Sequence, residues 1–210
     1  MAASGQHLLI TSDNGLRLRP ADGRHVTVDD RVEEHWSHRD DVWTPDLSAD
    51  RAADAGGCPR MPHVEVPGGM SVTVTARNAG VDVADVAAAL DVTTVNGGVT
   101  VARSGHGDAA VRLSTRNGSV RGTALETDRL HAESTNGDVV LACTVVPTRV
   151  TATTVNGSVD VTVPHDTPAY RVSAAADNGR VTAIVPTRHA GRSHTMTLTT
   201  VNGDGDAWND

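Results

Sequence analysis

Apolar and polar residues alternate on both sides of a recurring Asn-Gly pair, as in residues 151–163, TATTVNGSVDVTV. Counted from Asn156, positions −6, −4 and −2 are apolar or Thr, whereas positions +3 and +5 are Val. A period of two predicts β-strands that each have one inward face. The inward positions change from even to odd across the pair. The chain must therefore turn at Asn-Gly, which is a favoured pair for positive φ.

The same pattern recurs along most of the chain. Six Asn-Gly anchors between Asn96 and Asn202 are separated by 21, 19, 20, 22 and 24 residues. A looser copy at Asn78 lies 18 residues before Asn96, and an outlying copy at Asn14 has its first apolar residue one position early. The predicted turn residues are Asn14, Gly15, Asn78, Gly80, Asn96, Gly97, Asn117, Gly118, Asn136, Gly137, Asn156, Gly157, Asn178, Gly179, Asn202 and Gly203.

Two all-β architectures fit this pattern. The favoured one is a β-solenoid, similar to a parallel β-helix, whose coils of about 20 residues stack in succession about 4.8 Å apart. The alternative is an antiparallel meander of Asn-Gly hairpins. The near-constant period and the repeated chemistry, with Thr or Ser at −2 and Val at +3, favour the solenoid. About seven coils would form a rod roughly 30 Å long.

The N-terminal third is less regular. We predict an irregular β segment and cap over residues 1–62 and a repeat domain over 63–210, or one continuous domain over 8–206. Because terminal repeats are usually atypical, Trp36, Trp43 and Trp208 are interpreted as caps on the ends of the stack. Residues 83–91 have helical propensity but lie between anchors only 18 apart, so we predict strand, turn and strand.

Composition excludes some functions. The chain has no Phe, one Tyr and three Trp, so a thin core of Val, Leu, Ile, Ala and Thr is expected. A net charge of −8 argues against nucleic acid as a partner. Cys58 and Cys143 are too few for a disulfide framework. No signal peptide or membrane-length apolar run is visible, so we expect a chain that is soluble as written, without membrane insertion.

No catalytic, cofactor-binding or metal-binding residue is predicted. His35 and His38 with nearby carboxylates lack the HExxH spacing, so residues 33–41 are interpreted as a solvated loop. The acidic tail around Asp204 and Asp206 lacks the β-roll calcium signature, and a frayed terminus is expected. Residues 104–107 form a Gly-flanked loop rather than a nucleophile elbow. The sequons at Asn117 and Asn156 are better explained as turns.

The tandem T-x-(N/S)-G-x-V-x-V units, the lead-in VPGGMSVTV (66–74) and PAYRVSAAADNGRVTAIVP (168–186) resemble bacterial DUF4097-type β-strand-repeat proteins. These proteins are often described as candidate adhesins. The resemblance implies an all-β repeat domain, an association with the cell envelope and no agreed catalytic residues. Ser-Gly in many relatives replaces the Asn-Gly of this chain.

The expected function is therefore a non-enzymatic β-solenoid scaffold or adhesin-like binding protein of the cell envelope. A long face rich in Thr and Ser would offer many weak contacts to glycans, wall polymers or protein, and repetition would convert them into avidity. The alternative is a regulatory or envelope-stress component that binds a membrane protein. A carbohydrate-active enzyme is the least favoured reading.

Overall fold

The computed structural model describes residues 6–28, 35–39, 42–47, 61–187 and 193–210. All regular secondary structure in these ranges consists of β-strands. The described residues contain no helix that is long and apolar enough to span a membrane. The strands are β1 (His7–Ser12), β2 (Leu16–Pro20), β3 (Thr27–Val28), β4 (His35–Arg39), β5 (Val42–Asp46), β6 (His63–Val66), β7 (Ser71–Ala76), β8 (Val81–Ala84), β9 (Leu90–Asn96), β10 (Val99–Ala102), β11 (Ala110–Asn117), β12 (Val120–Leu125), β13 (Arg129–Asn136), β14 (Val139–Cys143), β15 (Arg149–Thr153), β16 (Val159–Val163), β17 (Arg171–Asn178), β18 (Val181–Ile184), β19 (Thr195–Asn202) and β20 (Gly205–Asn209).

The alternation in sequence becomes an alternation in burial. In β16, the side chains of Val159, Val161 and Val163 are buried, and those of Asp160 and Thr162 between them are partly exposed. Residues 83–91 form the end of β8, a bend and the start of β9, which confirms the predicted strand, turn and strand. Tertiary packing overrides the local helical propensity here, because the apolar side chains pack into the same core as those of neighbouring coils.

The strands form two ten-stranded sheets. Each coil places one strand in the first sheet and the following strand in the second. In seven of the nine coils, all except β5 with β6 and β7 with β8, an Asn-Gly corner joins the two strands. Equivalent strands of neighbouring coils pair in parallel and in register, for example Val139 with Val159 and Val150 with Met196. The solenoid prediction is confirmed. The hairpin meander is wrong, because the strands on either side of a corner belong to different sheets.

The coils do not stack in chain order at the two ends. The first sheet runs β17-β19-β15-β13-β11-β9-β7-β1-β5-β4, and the second runs β18-β20-β16-β14-β12-β10-β8-β2-β6-β3. After β16 the chain therefore forms the outermost coil, β17 with β18. The next coil, β19 with β20, lies between that coil and the coil of β15 with β16. At the other end, β5 and β6 lie outside β1 and β2. Strict succession of the coils was therefore a wrong expectation.

The described strands form nine coils rather than about seven. The two additional coils are β1 with β2 and β5 with β6, and both come from the irregular N-terminal third. At Asn14 the corner is one residue shorter than at Asn78, since Ser12 pairs with Ala76 and Leu16 pairs with Val81. This accounts for the apolar residue that comes one position early. The division into domains stays a prediction.

One continuous apolar core lies between the sheets. It consists mainly of Val, Leu, Ile and Ala side chains from both sheets. Tyr170, the single tyrosine, lies in the loop that leads from β16 in the second sheet back to β17 in the first, and it is fully buried. Its hydroxyl donates to the Pro147 carbonyl oxygen at 2.6 Å. Burial raises the pKa of Tyr170 to about 12.

The two ends of the stack differ. At the N-terminal end, β4 pairs antiparallel with β5 and β3 pairs antiparallel with β6. Trp43 of β5 packs against the core and donates its indole N–H to Gln6 Oε1 at 2.9 Å. The side chain of Trp36 lies outside the described part of the structure.

At the C-terminal end, the capping interpretation of Trp208 is wrong. Its side chain lies on the outward face of β20, in the second-to-last coil, and is 36% exposed. The expected frayed acidic tail is wrong as well. Residues 202–209 form a corner and a strand, in which Ala207 is fully buried, because they carry one more copy of the repeat.

Candidate functional site

The Asn anchors form a ladder along one corner of the stack. Each of five asparagines donates its Nδ2 amide to the Oδ1 of the asparagine in the preceding coil of the stack, at 2.8–2.9 Å. Because the last two coils are exchanged in order, Asn202 lies between Asn156 and Asn178. The spatial order is Asn96, Asn117, Asn136, Asn156, Asn202 and Asn178. Such a chain of exposed amides fixes the register between coils.

The hydroxyl groups at position −2 form a second ladder inside the corner. Thr154 is 1% exposed and donates to the Gly137 carbonyl oxygen of the neighbouring coil at 2.7 Å. Thr94, Thr115, Ser134 and Thr200 make equivalent bonds to residues 79, 97, 118 and 157. These hydroxyls are committed to backbone carbonyls of the corner, so the most regular Thr and Ser positions are structural and unavailable to a ligand.

The corner glycines are needed because neighbouring coils approach closely. At Gly157, φ is 154°, and a Cβ would collide with the Gly137 carbonyl oxygen. At position +2, side-chain oxygens accept from the backbone N–H of the next coil, as Asp138 Oδ1 does from Ser158 at 2.9 Å and Asp204 Oδ1 does from Arg180 at 2.8 Å. The corner is thus saturated with bonds between coils.

The predicted turn residues outside the ladder lie at the same corner. Asn78 pairs by its backbone with Asp13, and the position occupied by Gly in the other coils is Ala79 here. Gly15 lies against the Gly80 carbonyl oxygen. The sequon asparagines Asn117 and Asn156 both belong to the ladder.

A shallow groove of about 400 Å³ crosses the outward face of the first sheet beside this corner. It passes over four adjacent strands, β9, β11, β13 and β15. The outward side chains that line it come from positions −3 and −1 of each repeat. They are Thr93, Ser114, Glu133 and Thr153 in one row and Val95, Arg116, Thr135 and Val155 in the other.

The groove combines hydroxyls, one charge of each sign and exposed apolar surface. Ser114 donates its hydroxyl to Glu133 Oε1 at 2.8 Å, and Val155 is 39% exposed. The repeat pattern predicted a Thr- and Ser-rich face without indicating which residues form the groove. Aligning the repeats on Asn and reading positions −3 and −1 as columns would have placed them together.

The outward face of the second sheet has a different character. Asp160 and Asp206 are direct neighbours on adjacent strands. Burial, followed by the negative charge of Asp206, raises the pKa of Asp160 above its usual range. Trp208 lies on the same face, between Thr162 and Ile184 in the pairing register.

Other reactive groups are committed to the fold. Cys143 is a buried free cysteine whose pKa is raised by burial to about 12, and Cys58 lies outside the described residues. Ser104 is buried. It donates to the Ala102 carbonyl oxygen and accepts from the Val86 N–H, so it is a structural residue of a turn.

No metal centre is formed by the His, Cys, Asp and Glu residues of the described ranges, which contain no group of three or more that could hold an ion. The expected solvated loop over residues 33–41 is wrong for residues 35–39, which form β4 and pair with β5. The side chains of His35 and His38 lie outside the described part of the structure. In the acidic tail, Asn202, Asp204 and Asp206 serve different contacts, since the first two bond to neighbouring coils and the third stands beside Asp160.

Comparison with known proteins gives one family and one solved structure. No curated protein matches the chain. A solved structure of a candidate cell adhesion protein from Clostridium sporogenes ATCC 15579 aligns with a TM-score of 0.45 and 10% sequence identity, covering 99% of this chain and 94% of that chain. The family model described as Toastrack DUF4097 matches residues 66–207, which is more than half of the chain. The chain belongs to the DUF4097 family.

Proposed function

We propose that this protein is a non-enzymatic scaffold of the cell envelope that binds an extended glycan of the wall in an adhesin-like manner. The observation that carries the proposal is the groove over β9, β11, β13 and β15. Its lining comes from the same two positions of each repeat, and it spans about 14 Å across four strands. A ligand that itself repeats can therefore contact equivalent positions on successive coils.

The chemistry of the groove supports a polyhydroxylated ligand. Thr93 and Thr153 each carry a hydroxyl that can donate and accept, which suits the hydroxyls of a sugar. The Ser114 hydroxyl, which donates to Glu133, can still accept. Val95 and Val155 add apolar surface, against which the C–H faces of sugar rings can pack. The net charge of −8 disfavours a polyanionic polymer, so neutral glycans are the favoured class.

The test is binding of the full chain to purified wall material and to a panel of neutral and acidic polysaccharides. We expect retention on wall material and calorimetric binding to at least one neutral polymer. Thr153→Arg should fill the groove and weaken binding by about tenfold or more, the factor that corresponds to losing a contact of typical strength.

Thr162→Arg is the matched control, because Thr162 lies on the outward face of the same coil but in the second sheet. Its binding should equal that of the wild type. Equal binding by Thr153→Arg would contradict the groove as the site. Release of reducing ends or unsaturated products from any polymer would contradict the non-enzymatic assignment.

A further inference from the structure

The six Asn-Gly pairs of the ladder share one local sequence but not one environment. In five of them, the glycine N–H donates to the carbonyl oxygen of the asparagine in the next coil, at 2.9–3.1 Å. These glycines are Gly97, Gly118, Gly137, Gly157 and Gly203. The sixth pair, Asn178-Gly179, lies in the outermost coil, beyond which no described coil continues the stack.

The outermost pair therefore lacks two bonds that interior pairs have. Among the described residues, no acceptor receives the Gly179 N–H and no donor reaches Asn178 Oδ1. Asn178 and Gly179 are both exposed. The Asn178 side chain keeps one hydrogen bond, in which its Nδ2 donates to Asn202 Oδ1 at 2.9 Å.

Asn-Gly pairs deamidate when the backbone nitrogen of glycine reaches the side-chain carbonyl carbon of asparagine. Water or hydroxide removes the proton of the glycine N–H, and the nitrogen lone pair forms a bond to Cγ. The Cγ–Nδ2 bond breaks, and the side-chain nitrogen leaves as ammonia. Water then opens the resulting succinimide to Asp or isoAsp. The reaction needs a glycine nitrogen that is free of other bonds and a local backbone that can rotate.

We propose that Asn178 is the deamidation site of the folded protein within this ladder, with water as the only co-reactant. At the five interior corners, the attacking nitrogen is held in a bond to the next coil, and the corner must open before it can react. At the outermost corner, no described residue accepts from the Gly179 N–H. The product loses the Nδ2 donor, so the terminal bond of the ladder to Asn202 is lost with it.

The product also adds a carboxylate beside Asp177, at the corner where Asp204 already accepts from the Arg180 N–H. An isoAsp would in addition insert one extra backbone atom at the end of β17. The modification therefore loosens the outermost coil and leaves the interior coils intact.

The experiment is incubation of the native full chain at mildly alkaline pH, followed by peptide mapping with mass spectrometry at each of the six asparagines. We expect Asn178 to deamidate at least about tenfold faster than Asn156, because the interior corner must first open. The same incubation in concentrated urea is the internal control. There the six sites should react at comparable rates, since all are followed by Gly and none is folded.

Similar rates at all six sites in the native chain, or faster reaction at an interior site, would overturn the proposal. So would an unreacted Asn178 in the native chain under conditions where it reacts in urea. Asn178→Gln provides a second check, because glutamine does not form the five-membered ring. The variant should lose the native-state signal while its interior asparagines keep their slow rates.

Discussion

At the scale of single residues, the corner works because of how closely successive coils approach. The Cβ that any other residue would add at Gly157 collides with the backbone of the neighbouring coil. The hydroxyl of Thr154 and the amide of Asn156 then bond across the same gap. Repetition of this short sequence motif holds neighbouring coils in register.

Gly157→Ala is expected to lower the free energy of unfolding by about 1–3 kcal/mol, because of the positive φ and the collision with Gly137. Gly205→Ala is the matched substitution. Gly205 does not have positive φ, and its Cβ would meet only Val181 Cγ2, at 3.8 Å. It should stabilise by about 0.4–1 kcal/mol through the unfolded state. Urea denaturation of both variants measures this, and an unchanged midpoint for Gly157→Ala would remove the steric account of the corner.

At the scale of strands, each outward position forms a column across the sheet, so an outward side chain of an interior strand has two neighbours of the same register. In the second sheet this places Asp160 directly beside Asp206. Like charges opposite each other destabilise a sheet. The opposite case occurs in the same sheet, where Arg19 Nη1 lies 3.2 Å from Asp82 Oδ1.

Asp160→Asn is expected to be more stable than the wild type near neutral pH. The pKa of Asp160 is raised in the folded state, so the folded protein binds this proton more tightly than the unfolded chain does. The wild type therefore loses stability as the pH rises through the raised pKa. The difference between variant and wild type should shrink as the pH falls through that pKa towards the ordinary Asp value.

Melting temperatures over a pH series measure this difference. Asp82→Asn is the control, because it removes an ion pair and should not stabilise the protein. A gain for Asp160→Asn that persists unchanged at acidic pH would show that the ionisation of Asp160 is not its cause.

At the scale of the whole molecule, the ends of the stack are built differently from its middle. The N-terminal end is covered by the antiparallel strands β3 and β4. At the other end, β17 and β18 are each paired on one side only among the described strands. The coil that carries the last residues of the chain lies one position inside that end, between β15 and β17 in the first sheet.

Deleting residues 1–62 is expected to cause self-association. The deletion removes β1 and β2, which pair along β7 and β8, and so uncovers one edge of each sheet. Sedimentation and light scattering should show oligomers or aggregates where the full chain gives a single species. A monodisperse deletion variant with an unchanged melting temperature would contradict the capping role of this segment.

The sequence by itself determined the two strands of each repeat and the turn between them, and it favoured the solenoid over the hairpin meander. Alternating Val, Thr and Ala around Asn-Gly specify two strands with opposite inward phases, and a nearly constant period favours stacking of equivalent residues. These are local constraints, so they could be read from residues such as Thr154, Gly157 and Val159 without coordinates. The resemblance to the family rested on the same repeated sequence motifs.

Only the tertiary structure decided the order of the coils and the surfaces that result. All copies of the repeat offer nearly the same edge, so nothing local specifies that Asn202 lies between Asn156 and Asn178. Because of that exchange, the C-terminal strand β20 lies between β16 and β18 instead of forming a frayed tail, and Asn178 lies at the end of the ladder. The groove likewise exists only once positions from four coils stand side by side, because no single repeat contains it.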